Sequence, residues 1–154
     1  MDKKFTSENI QIHIKKNFTH CWKLFYEMQI PYVLNWKRFF GDYERWHIWG
    51  IIATQKSFKN DNANLDREKF MQDTFQESTN GINAMSISEL TGIPRATVVR
   101  KINILLKRKL LSVDIKKLYT PKKTNLKIFT EIHKENTILL VRFFCNIINL
   151  IKSN

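Results

Sequence analysis

Arg95, Thr97, Val99, Arg100 and Asn103 lie within nine residues of one another in a stretch that reads MSISELTGIPRATVVRKINILLKRKLL from Met85 to Leu111. A guanidinium can pair bidentately with a guanine edge, and Asn and Thr can meet base edges or phosphate oxygens. Between and beyond these residues stand Val98, Ile102 and Leu105, spaced i, i+4 and i+7, the pattern of one buried helical face. A helix from Arg95 would turn those three inward and carry the polar set on its other side. The plain alternative is that two arginines and an asparagine only solvate a helix. The residues just upstream weigh against it.

Ile87 and Leu90 put two apolar residues on one face of a short preceding helix, with Ser86 or Ser88 as its expected N-cap. Thr91-Gly92-Ile93-Pro94 stops that helix. Gly92 can take the positive φ that closes a helix, and Pro94 suits the first turn of the next. Helix, tight glycine turn, helix is a helix-turn-helix, whose second member, Pro94–Lys107, would lie in a DNA major groove. Farther on, Leu110–Val113 and Leu118-Tyr119 read as two short strands around Asp114-Ile115-Lys116-Lys117, a hairpin.

Residues 85–121 resemble the winged helix-turn-helix of bacterial transcription regulators, MarR-type above all, with the IclR-type DNA-binding domain as the near alternative. The turn and second helix (TGIPRATVVRKINILLKRKLL) resemble both, and Tyr119-Thr120-Pro121 is similar to the MarR-type exit into the last helix. The resemblance covers about a third of the chain. It implies that Arg95, Thr97, Val99, Arg100 and Asn103 face the groove, and that Lys101, Lys107, Arg108, Lys116 and Lys117 hold the phosphate backbone. The chain departs from the pattern in two places. Lys109 stands where the family usually has a glycine after the reader helix, and the wing is short, with no glycine at its tip. Ile104 and Leu106, polar in related helices, predict a helix covered on more than one side.

The whole chain supports a mostly helical protein. Its 154 residues are 43% hydrophobic and 12% aromatic, which argues against disorder, and four glycines with three prolines leave few turns. No apolar run reaches the ~18 residues of a membrane span, and the start MDKKFTSENI lacks the apolar core of a signal peptide. The expected location is cytoplasmic, with no membrane partner. Net charge is +12, unevenly spread: residues 81–134 hold twelve Lys/Arg against three Asp/Glu, whereas residues 61–80 hold two against five. Lysine excess alone reflects composition. Its segregation around the helix-turn-helix is what a polyanionic partner requires.

The flanks complete the architecture. Ile10, Ile14 and Phe18, then Cys21, Trp22, Phe25 and Met28, follow helical spacing; Pro31 is expected to interrupt the run and Gly41 to end it. Asp42 can N-cap a helix from Tyr43 to about Gln55 that supports the reader helix. Residues 56–81 form a polar, acidic excursion in which Leu65, Phe70, Met71 and Phe75 could make one short helix. Lys122–Lys152 reads as one or two helices, and its part from Ile138 to Ile151 is apolar nearly all round, so it needs cover on every side. The expected organisation is a helical dimerisation region over 1–41, the winged helix-turn-helix over 42–120 and a dimerisation helix over 121–154.

Enzyme chemistry is not in evidence. There is no Gly-rich phosphate loop, His-x-x-x-His pair or Cys-x-x-Cys, and His13, His20, His47 and His133 are scattered. No metal or cofactor is expected. Cys21 and Cys145, both in the expected dimerisation helices, read as small buried hydrophobes, with a redox pair as the competing reading. The aromatics concentrated between residues 18 and 49 pack a core and offer walls for a small-molecule effector. The expected function is sequence-specific duplex-DNA binding by a homodimeric transcription regulator. Two other readings stand beside it: a replication or plasmid-maintenance factor, and a winged-helix protein-interaction module without DNA binding.

Overall fold

The computed structural model describes residues 6–57, 68, 69, 75, 81–122 and 126–152. In chain order the elements are α1 (Ser7–Lys16), α2 (Phe18–Phe40), α3 (Tyr43–Ser57), α4 (Ala84–Thr91), α5 (Arg95–Lys107), β1 (Leu111–Val113), β2 (Tyr119–Pro121) and α6 (Leu126–Lys152). The protein is mostly α, with a short antiparallel hairpin following α5. Most of the polar excursion, including Leu65, Phe70 and Met71, lies outside the described residues. Phe75 packs its ring on Trp49, 6.1 Å between centroids.

Pro31 does not interrupt α2, which runs unbroken from Phe18 to Phe40. Proline costs a helix one N–H and crowds the carbonyl four residues back, a penalty that packing on both sides of it offsets here: Leu24 and Trp36 are both buried. The break falls earlier, at Asn17, which caps α1 as its N–H and side-chain amide both donate to the His13 carbonyl. The C-terminal segment is a single helix.

Chain contacts gather into two compact units, residues 1–36 with 129–154 and residues 37–128. Both divisions fall inside helices rather than at the punctuation near 41 and 121. In the first unit α2 and α6 pack antiparallel. The Trp36 ring meets Phe129 and His133, and the Phe25 ring meets Phe143, so partners descend along α2 as they ascend along α6. Between them Asn136, only 2% exposed, accepts from the Asn35 amide at 2.9 Å and donates to the Tyr32 carbonyl at 3.3 Å. A buried amide needs such partners on both of its faces.

The expectation that α6 is buried all round does not hold within one chain. Ile138, Val141, Phe144 and Ile148 are exposed, as are Phe18, Trp22, Tyr26 and Ile30 on α2. A ladder of rings, Trp22 on Phe25, Phe25 on Phe143 and Phe143 on Phe144, joins the two sets across the helix pair. Trp22, 50% exposed, and Phe144, 56% exposed, therefore belong to one continuous apolar flank.

In the second unit α3 packs on α5 and β2, α4 packs on α3 and α5, and α5 packs on β1. Phe40, Ile48, Ile52, Ile87, Val98, Ile102 and Leu105 make its core. The Trp49 indole N–H donates to the Leu110 carbonyl and fixes α3 to the root of the hairpin. The strands pair Leu111 with Pro121, Ser112 with Thr120 and Val113 with Tyr119. A single residue, Ile82, forms an isolated antiparallel bridge to β2 by exchanging two hydrogen bonds with Tyr119, at 3.2 and 2.9 Å. Gly81 permits that approach, because a Cβ there would sit 2.7 Å from Leu118 Cβ and 3.0 Å from the Tyr119 carbonyl oxygen.

Candidate nucleic-acid interface

The turn between α4 and α5 is built by short side chains. Asn83, rather than Ser86 or Ser88, is the N-cap of α4: its Oδ1 accepts from Ser86 N–H at 2.9 Å. The Ile82 bridge to Tyr119 fixes the chain just before Asn83, so the cap falls three residues ahead of Ser86, and Asn is as good a cap as Ser. The two serines lie inside the helix, where Ser88 Oγ donates to the Ile93 carbonyl at 2.7 Å. Gly92 closes α4 in the left-handed conformation, φ 69°, as its type allows. Thr91 Oγ1 donates to the Ile87 carbonyl and accepts from Ile93 N–H. Each polar group near the turn thereby spans it, which holds the entry angle of α5.

Pro94 takes the N-cap position of α5, one place before the first helical turn, and no side chain closes the leading N–H groups. Such N–H groups carry the positive end of the helix dipole and suit an anion. Val98, Ile102 and Leu105 are buried, as the spacing requires, and Ile104 and Leu106 are half-buried. Arg95, Val99, Arg100, Asn103 and Lys107 are exposed and Thr97 is half-buried. Among the described residues no ion-pair or hydrogen-bond partner engages the side chains of Arg95, Arg100 or Asn103.

Two of the expected phosphate contacts are engaged elsewhere. Lys101 is 8% exposed and its Nζ lies 2.7 Å from Asp42 Oδ2 and 2.9 Å from Glu44 Oε2. Its position three after Val98 and four before Leu105 places it on the inward stripe, a signal the sequence carried. Asp42 Oδ1 also caps α3 by accepting from Arg45 N–H at 2.8 Å, and its Oδ2 pairs with Arg45 Nε at 2.8 Å. Burial pushes the Asp42 pKa up, but the Lys101 hydrogen bond, the Arg45 N–H and both cationic charges outweigh it and hold the carboxyl below its ordinary value. Lys101 is raised above the ordinary lysine value, chiefly by its hydrogen bonds to Asp42 and Glu44.

Arg108 is the second case. Its guanidinium donates to the carbonyls of Phe39 and Phe40, the last of α2, and stacks over the Phe39 ring. Burial and the neighbouring Arg45 charge lower its pKa. Lys101 and Arg108 thus tie α5 to the α2–α3 elbow; Lys101 is buried in doing so, whereas Arg108 stays exposed. The helix end between them and the hairpin closes without glycine. Lys109 takes φ 57°, its N–H donates to the Leu106 carbonyl, and Leu110 N–H donates to the Leu105 carbonyl. That is the paired closure of a Schellman motif with lysine in the left-handed seat.

Lys116 and Lys117 are exposed at the hairpin tip. An open groove of about 440 Å³ lies between the start of α4 and the hairpin, lined by Gly81, Ile82, Asn83, Glu89, Leu90 and Leu118 among others. None of the aromatics of residues 18–49 lines it. Among the described residues no His/Cys/Asp/Glu cluster could hold a metal ion, and no helix is long and apolar enough to cross a membrane. Cys21 is buried and Cys145 exposed, and both are free.

These elements, two helices about a glycine turn and a short antiparallel hairpin, form a winged-helix-like arrangement in a mostly helical protein. No family model, curated protein or solved structure matches the chain.

Proposed function

We propose that this protein is a sequence-specific duplex-DNA-binding transcription regulator of MarR-like build, acting as a homodimer. The observation that carries the reading is the outward face of α5. It presents Arg95, Arg100 and Asn103 without partners among the described residues, on a helix that Lys101 and Arg108 fix in position. Side chains that reach base edges specify sequence only when the element bearing them is held rigidly. Lys107, Lys116 and Lys117 supply the phosphate contacts that remain. Net charge of +12 favours the encounter.

The dimer follows from the apolar flank of α2 and α6. A second copy pairing by the same flank would bury Trp22, Phe144 and their neighbours and place two reader helices about a two-fold axis, for a pseudo-palindromic site. The test is selection of bound sequences from a random duplex pool, followed by affinity measurement at several salt concentrations. The expected result is an enriched two-fold sequence whose affinity falls linearly with log salt. Affinity that is absent, or equal for all duplexes, sinks the regulator reading, and its absence leaves the protein-interaction module in its place.

A further inference from the structure

Ile115 is 99% exposed, far beyond the next large apolar side chain among the described residues, Leu90 at 60%. It occupies the tip of the β1–β2 hairpin, followed directly by Lys116 and Lys117, both exposed. The tip is a built turn. Asp114 Oδ1 accepts from the N–H groups of Lys116 (2.9 Å) and Leu118 (2.8 Å). Lys117 N–H donates to the Asp114 carbonyl and Asp114 N–H to the Leu118 carbonyl, both at 3.1 Å. Lys117 itself stands at φ 59°. Ile115 is therefore held out at a defined place. Turns favour Gly, Asn, Asp, Pro and Ser, and a β-branched isoleucine belongs in a packed strand. Val113, the last residue of β1, is also exposed.

An apolar tip next to two ammonium groups fits a narrow groove with anionic walls whose stacked steps can open onto apolar base faces. Duplex DNA has that groove: proteins that bend it insert Ile, Leu or Phe side chains between base pairs while cations neutralise the flanking phosphates. Two apolar side chains alone offer too little area for a protein partner. From this we infer that Ile115 is a minor-groove wedge, which enters beside the major-groove site of α5 and pries open one base step. The inference rests on the DNA-reading proposal above and adds a specificity that needs no base hydrogen bond. Pyrimidine–purine steps unstack most cheaply, TA among them. The protein should prefer half-sites flanked by such a step.

The experiment uses the full chain and a duplex selected by it from a random pool, made with either a TA or a G·C-rich flank, with 2-aminopurine replacing the TA adenine. Wild-type binding should raise the 2-aminopurine fluorescence. Ile115→Ser should bind the TA-flanked duplex about tenfold more weakly, give no rise, and keep the wild-type salt slope because both lysines remain. On the G·C-rich flank the two proteins should differ by less than about twofold. The thermal unfolding midpoint should not move, since the side chain is wholly exposed. A wild-type complex with silent 2-aminopurine, or a variant that keeps both signal and affinity, overturns the wedge and leaves the DNA-reading proposal standing. Absence of salt-sensitive duplex binding by the wild type overturns both. If Ile115→Ser abolishes adsorption to phosphatidylserine vesicles and leaves duplex affinity unchanged, the tip is a membrane contact instead.

Discussion

Asp42 concentrates three duties in one carboxylate: it caps α3, pairs with Arg45 and neutralises Lys101. Because its folded-state pKa is depressed, the stability it contributes is present above its unfolded value of ~3.9 and lost as pH falls through the folded value. Asp42→Asn should therefore destabilise the chain by about 1–2 kcal/mol at neutral pH, a difference that narrows as pH drops below about 4. Denaturant unfolding of both proteins between pH 3 and 7 checks this; a constant difference across that range rules it out. Lys101 has the opposite sense: its raised pKa contributes below the unfolded lysine value and is lost as pH climbs through the folded one. A second residue-scale expectation concerns Lys109, whose φ of 57° suits glycine better than lysine. Lys109→Gly should stabilise the fold by about 0.5–1 kcal/mol, read as a higher unfolding midpoint. A lower midpoint would mean that the lysine side chain itself stabilises this end of α5. At this scale the sequence was legible where local chemistry dominates: Gly92 at a positive φ, Asp42 at a cap. It marked Lys101 as inward by spacing but hid the partners of Lys101 and Arg108, which lie fifty-nine and sixty-eight residues away in the chain.

The reader helix and the hairpin make separable contributions to the proposed DNA contact. Arg100 sits two residues past buried Val98 on the exposed side of α5. Arg100→Ala should cost ~1–3 kcal/mol and relax preference at one base position in each half-site. Lys117→Ala at the tip should weaken every sequence alike and reduce the slope of log affinity against log salt by ~1. One panel of operator variants at several salt concentrations separates them. Uniform loss for Arg100→Ala together with altered base preference for Lys117→Ala would reverse the assignment of reader and wing. The elements themselves were readable because periods of 3.6 and 2 survive in Val98, Ile102 and Leu105 and in the short strands. The second strand extends to Pro121, farther than its apolar residues imply, because pairing with Leu111 continues past them. The continuity of α2 through Pro31 was not readable, since a local rule predicts a break and only packing along both halves of the helix overrides it.

For the whole molecule the exposed flank of α2 and α6 is the consequential surface. The proposed dimer buries it, so Trp22→Ser with Phe144→Ser, both outward-facing, should leave a folded monomer. Deletion of residues 138–154 should give aggregate or a poorly folded chain, since the mates of α6 on α2 lose their cover. Sedimentation of the wild type as a monomer at every concentration would refute the pairing. The sequence exposed the apolar excess of the last helix, yet which part faces inward depends on α2, and that required coordinates. One consequence concerns excision. The second compact unit begins at Lys37, in the last turn of α2, and the N–H groups of Lys37 to Phe40 bond to carbonyls four residues upstream. A fragment cut at that boundary would start with a single unsupported turn, too short to nucleate, and this turn carries Phe39, Phe40 and the carbonyls that Arg108 grips. The smallest autonomous winged piece must therefore borrow chain from its neighbour, and truncation mapping should find its left edge well before residue 37.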